Sequence, residues 1–163
     1  MKKIAFLVLS FCAILSANAQ LKAKVLCPPF VVDILDGKVN GLKANARFIE
    51  IKEKFPCSTS ADEEGTTAKC GAAIFFKDKG ITFFTDRDYI EITEKFDGKF
   101  SIPVMGAARN SLFKWLGNPK MKDDTWDAYQ TQYGLLVLHY NKAAKVNLIQ
   151  ITTQALSTLS LCE

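Results

Sequence analysis

Apolar residues recur along this chain in two rhythms, one helical and one strand-like, and each rhythm occurs twice. Over residues 44–55 the apolar positions Phe48, Ile51 and Phe55 keep helical spacing, and Pro56 ends the run. From residue 107 the spacing returns with Leu112, Trp115 and Leu116, and Gly117-Asn118-Pro119 stops it. Fifteen residues after each proline comes a glycine that opens an apolar run, Gly71 after Pro56 and Gly134 after Pro119, at an offset of 63 between the halves. Residues 71–76 and 134–139 both read as buried strands. Asp78-Lys79-Gly80 turns the first into 81–84, a strong hairpin signal because glycine accepts a positive φ. Residues 141–144 turn the second into 146–151, and Tyr89-Ile90-Glu91-Ile92-Thr93 adds an alternating strand.

These rhythms predict an α+β fold of two tandem repeats, each a helix followed by an antiparallel meander, with the helices on one face of the sheet. The first repeat spans 44–96, the connector 97–106, and the second repeat with its C-terminal tail 107–163. Ahead of them, residues 20–43 form an extension in which 31–37 look like a strand and turn. The loop 58–69, with Asp62-Glu63-Glu64, is more acidic than its counterpart 120–132, which holds Trp126 and Tyr129.

The first 19 residues change the setting. Met1-Lys2-Lys3, an apolar run over 4–15 and Ala17-Asn18-Ala19 before Gln20 have the form of a signal peptide cleaved after Ala19. The run is shorter than the ~20 residues needed to cross a bilayer, so no permanent membrane anchor is expected. Phe11 directly before Cys12 argues against a lipoprotein signal. The expected residence is periplasmic or secreted. Loss of Lys2 and Lys3 lowers the formal charge from +4 to +2, too little to attract nucleic acid by charge alone. In an oxidising compartment Cys27, Cys57, Cys70 and Cys162 become disulfides. Three connectivities are open, of which Cys57 with Cys70 and Cys27 with Cys162 is favoured. With no C-x-x-C and His139 as the one histidine, neither metal nor cofactor is expected.

Residues 48–56 with 71–84, and 112–119 with 126–151, resemble the β-lactamase inhibitory protein type of domain and its single-repeat relatives among small outer-membrane assembly lipoproteins. The stretch from Trp126-Asp127-Ala128-Tyr129 to Tyr133-Gly134 looks most like that family, and the likeness covers roughly two thirds of the mature chain. It implies helical elements on one face of paired antiparallel sheets, and a concave surface around a protruding partner.

The one histidine that could act as a base, His139, falls inside an apolar strand, and the carboxylates that could act without it, Asp62, Glu63, Glu64, Asp86, Asp88, Asp123 and Asp124, sit in turns beside lysines, the pattern of a solvated surface. Ser111 and Ser157 stand in no G-x-S-x-G context, and no glycine-rich loop opens a helix after a strand. Recognition through aromatics remains. Neighbours on a strand point to opposite faces, so Phe75 with Phe76, and Phe83 with Phe84, cannot all enter one core, whereas Tyr129, Thr131 and Tyr133 share a face of a regular strand. The expectation is an exported, non-enzymatic protein-interaction module, an inhibitor or envelope scaffold, contacting an exported or envelope protein through Phe76, Asp78, Lys79, Phe84, Trp126, Tyr129, Tyr133 and His139. The alternatives are a small envelope hydrolase using His139 or a carboxylate pair, and a binder of a small apolar or cell-wall ligand.

Overall fold

The computed structural model describes residues 26–66 and 70–160. Among them, strands dominate: β1 (Val31–Asp33), β2 (Lys38–Val39), β3 (Leu42–Lys43), β4 (Ser60–Asp62), β5 (Ala73–Phe76), β6 (Ile81–Phe84), β7 (Tyr89–Thr93), β8 (Lys99–Phe100), β9 (Met121–Lys122), β10 (Trp126–Thr131), β11 (Gly134–Tyr140) and β12 (Val146–Thr152). Two short helices accompany them, α1 (Phe48–Lys54) and α2 (Phe113–Leu116). The strands form a sheet of four, ordered β3-β2-β1-β8, and a sheet of eight, ordered β4-β5-β6-β7-β12-β11-β10-β9. The large sheet is antiparallel throughout. Its two four-stranded meanders meet along β7 and β12, where Ile90 faces Ile151 and Ile92 faces Ile149.

This architecture overturns the expected α+β arrangement with helices layered on a sheet: the fold is mostly β, in two sheets. The helical stripes are too short to serve as a layer. α1 has seven residues and buries Ile51, and α2 has four and buries none. The small sheet takes that place, although its strands of two or three residues are too short to show a period in the sequence. Phe30, Val32, Ile34 and Val39 join Ile51 and Phe55 in one core with Ile74, Phe76, Ile81, Phe83, Leu136, Leu138, Ile149 and Ile151 of the large sheet. Phe30 stacks on Phe55 at 4.4 Å between ring centres, and Phe76 meets both rings edge-on at 5.2 and 5.8 Å.

The 63-residue offset also equates strands that hold different places. β5 lies second from its edge of the large sheet and β11 third from the other. The strand that mirrors β5 is β10, which lies in the segment 120–132 that the offset equates with the loop 58–69. The hairpin at Asp78-Lys79-Gly80 does form. Gly80 sits at φ +64°, and a Cβ there would lie 2.5 Å from the Phe96 nitrogen.

The disulfide expectation is corrected as well. Cys27 pairs with Cys57, with Cα atoms 5.2 Å apart, so neither Cys57–Cys70 nor Cys27–Cys162 exists. The chain reaches this pairing because Phe30 and Phe55 stack, which brings the residues just outside them together. Cys70 is also in a disulfide. Cys162 and the 1–19 segment lie outside the described residues. No described helix is long and apolar enough to cross a membrane.

Candidate functional site

Strand β10 alternates, so Asp127, Tyr129 and Thr131 face the core while Trp126, Ala128 and Gln130 face away. That puts a carboxylate, Asp127, at 1% exposure, a position that is costly unless the charge is paired and hydrogen-bonded. Arg109 supplies the pair. Its Nε donates to Asp127 Oδ2 at 3.0 Å and its Nη2 to Oδ1 at 2.6 Å, a two-pronged contact. Nη2 also donates to the Asp123 carbonyl at 2.7 Å and Nη1 to the Asp124 carbonyl at 3.2 Å. The Tyr140 hydroxyl donates to Asp127 Oδ2 at 2.8 Å and the Tyr129 hydroxyl at 3.5 Å, and the guanidinium lies 4.7 Å over the Tyr140 ring.

The electrostatics follow from this closed network. Its hydrogen bond to Asp127 holds the Arg109 guanidinium above its ordinary pKa, against the opposing effect of burial. Burial, followed by the bond to Asp127, pushes the Tyr140 hydroxyl far up, and burial also raises Tyr129. Both tyrosines are held as neutral donors, and both Asp127 oxygens are engaged as acceptors. The cluster is therefore built to brace the structure.

What it braces is a cleft. The connector ahead of α2 is pinned to the β11–β12 turn: Gly106 N–H donates to the Val146 carbonyl at 2.8 Å, Val146 N–H to Ala107 at 3.0 Å, and Arg109 N–H to Ala144 at 2.9 Å. Asn141 Oδ1 shapes that turn by accepting from the Ala143 and Lys145 N–H groups at 3.0 and 3.1 Å. Ala144 completes it at φ +54°, in the left-handed region where a Cβ is strained. At its other end α2 stops at Gly117, φ +70°, which sends Asn118-Pro119 back toward β9. These segments enclose an open cleft of about 610 Å³, with Arg109 and Asp127 at its base and Asn110, Phe113, Asn118 and Lys122 among its walls. Phe113 is 64% exposed, an unusual state for a phenylalanine.

The residues singled out from the sequence are scattered by the fold. Phe76 is fully buried against Phe30, Phe55 and Phe83, and Phe84 is buried on the opposite face, stacked on Tyr89 at 4.5 Å. Tyr129 is buried in the Asp127 network, the one member of the set that lines the cleft. The Phe76 and Phe84 rings are turned into the interior, and Tyr129 reaches the surface only at the cleft it lines. Trp126 and His139 are half-buried and face each other across β10 and β11. The His139 ring is 3.1 Å from Gln150 Oε1, and Gln150 donates to Glu91 at 3.3 Å. Tyr133 is half-buried, with the Lys38 and Lys43 ammonium groups 4.0 and 4.1 Å from its ring centre. At the hairpin tip Asp78 accepts from the Thr59 hydroxyl at 3.0 Å, and Lys79 pairs with Asp97 at 2.7 Å.

Sequence reasoning missed Arg109, Phe113, Lys122 and Asp127. Phe113 did carry a signal, since it lies off the stripe of Leu112, Trp115 and Leu116. Asp127 carried a weaker one, as a charge inside an aromatic-rich strand. Among the described residues no group of three or more His, Cys, Asp or Glu side chains is placed to hold a metal ion. No family model matches this chain, and no curated protein or solved structure matches it either.

Proposed function

We propose that the protein is an exported, non-enzymatic interaction module that holds a protein partner at the cleft between α2 and the β11–β12 turn. The observation that carries this reading is Phe113, 64% exposed on the wall of a cleft whose base, the Arg109–Asp127 pair, is already committed to bonds within the chain. A large aromatic left in water costs free energy that association recovers, and aromatics are efficient anchors at interfaces. The neutral tyrosines and the occupied Asp127 favour binding over proton transfer here. The Cys27–Cys57 disulfide favours an oxidising, exported compartment.

The test is to immobilise the mature chain from Gln20, with disulfides formed, and expose it to the exported proteins of its source cell. Ile49→Ser serves as control, because Ile49 is exposed to a similar degree, 55%, on α1. The expected result is a stoichiometric partner that survives Ile49→Ser and is lost by at least about tenfold in Phe113→Ser, roughly 1.4 kcal/mol. Retention of the same partner by folded Phe113→Ser overturns the reading.

A further inference from the structure

The cleft has a charge as well as a shape. On the α2–β9 side Lys114, Lys120 and Lys122 are exposed, and on the β11–β12 turn Lys142 and Lys145 are exposed. None of these five lysines forms an ion pair among the described residues. Asp123 and Asp124 are exposed in the segment between β9 and β10, so two carboxylates stand against these five lysines and an excess of positive charge remains. Asp127 is consumed by Arg109, and the Asp123 carboxylate turns back to accept from the Thr125 N–H and hydroxyl at 3.3 and 3.4 Å. Arg109 is itself no free anion receptor, since four of its five N–H groups are spent on Asp127 and the Asp123 and Asp124 carbonyls. Of the five lysines, Lys122 lines the cleft beside Phe113, Lys120 follows the lining residue Pro119, and Lys142 and Lys145 flank the lining residues Ala143 and Ala144, while the Lys114 ammonium sits 3.9 Å over the Trp115 ring.

We infer that the cleft takes an acidic peptide segment of a protein partner, bearing one apolar side chain flanked by carboxylates. The apolar side chain packs on Phe113, and the carboxylates face Lys122 and the lysines of the two rims. This inference rests on the interaction-module reading and specifies the chemistry of its ligand. A volume of about 610 Å³ lies within the ~300–1,000 Å³ usual for binding clefts, enough for an anchor residue and its neighbours. Rim charges act mainly on encounter and orientation, so the interaction is salt-sensitive, while the anchor sets how long the complex lasts.

A phage-displayed peptide library selected on the disulfide-formed mature chain tests this directly, with enriched sequences remade as fluorescent peptides and measured by polarisation. The expected consensus has two or more Asp or Glu around a Phe, Trp, Leu or Met. Binding should weaken at least about tenfold between about 50 and about 300 mM NaCl. Lys122→Glu with Lys142→Glu should weaken it by at least about tenfold at low salt, Phe113→Ser should abolish it, and Phe113→Leu should retain most of it. All three positions are exposed, so unchanged melting temperatures would verify the fold of each variant. Enrichment of neutral or basic peptides, no enrichment, or indifference to the lysine substitutions overturns the inference. So does a concentration-dependent dimer of the chain alone that Lys122→Glu dissociates, since the occupant is then a second copy. If a protein partner is captured and lost in Phe113→Ser while no acidic peptide binds, the module reading stands and this inference alone fails.

Discussion

The two ends of the large sheet solve the same packing problem with opposite chemistry. At the β5–β6 end the core face is Ile74, Phe76, Ile81 and Phe83, closed by Phe30 and Phe55 with no polar atom to satisfy. At the β10 end the same face carries Asp127, Tyr129 and Tyr140, and its closure needs Arg109 from the segment just ahead of α2, 18 residues before Asp127 in sequence. The apolar end can be sealed by any side chains of suitable volume. The charged end needs one particular residue in one position, and holding it there shapes the turn, the connector and the cleft. A buried carboxylate thus acts as a geometric specification, at the cost of desolvation.

The strongest way to break the comparison is to remove one partner at each end. Arg109→Ala should lose about 3–5 kcal/mol by leaving Asp127 buried and unpaired, measured by urea unfolding. Adding Asp127→Asn to Arg109→Met should recover at least about half, because a neutral amide can still accept from Tyr140. Phe76→Ala should cost a similar ~3–5 kcal/mol, but as a cavity that no second polar change repairs.

Smaller effects are expected at the turns that flank each end. Gly80→Ala should destabilise by more than about 1–2 kcal/mol, since the left-handed backbone is compounded by the approach to Phe96. Ala144→Gly should go the other way, stabilising by about 0.5–1 kcal/mol as the strain at φ +54° is released, read as a small rise in melting temperature.

The mildest test is an alkaline absorbance titration. Burial holds the Tyr89, Tyr129 and Tyr140 hydroxyls above the ordinary tyrosine value of about 10. Their folded pKa is raised, so the stability they contribute is complete below the unfolded value and declines as pH climbs past it. These three should stay protonated at a pH where free tyrosine ionises, and should ionise together with unfolding. Ionisation of all three near pH 10 in a folded chain would contradict the burial described.

Local features of the fold were legible where one segment carries its own explanation. The hairpin at Gly80 and the strands on either side of it are written in an apolar run, a turn and a second run. The helical stripes were legible too, yet a period says nothing about whether seven residues can serve as a layer. The second layer went unseen because Lys38–Val39 and Leu42–Lys43 are too short for any alternation. β10 is hard to bound from sequence because Asp127 and Gln130 interrupt its apolar pattern, and the residue that makes Asp127 tolerable is Arg109, in another element. The same reason hid the cleft. Its base is a long-range pair, its walls come from separate segments, and only Phe113, out of step with its helix, hinted at it. The disulfide was misassigned because loop length favours near neighbours, whereas the aromatic stack of Phe30 on Phe55 decides which cysteines meet.

The seam between β7 and β12 has a consequence in time. Strands β5 and β6 close through a turn of four residues, but Ile92 meets Ile149 only after 56 intervening residues are brought round. That is nearly four doublings of loop length, an extra entropic cost of roughly 2 kcal/mol before the seam returns anything. Until β12 arrives, β7 presents an unpaired apolar edge, the kind of surface on which partly folded chains aggregate. The last long strand is thus the cap of the first meander, and substitutions along Val146–Thr152 act on the yield of folded protein as well as on its stability.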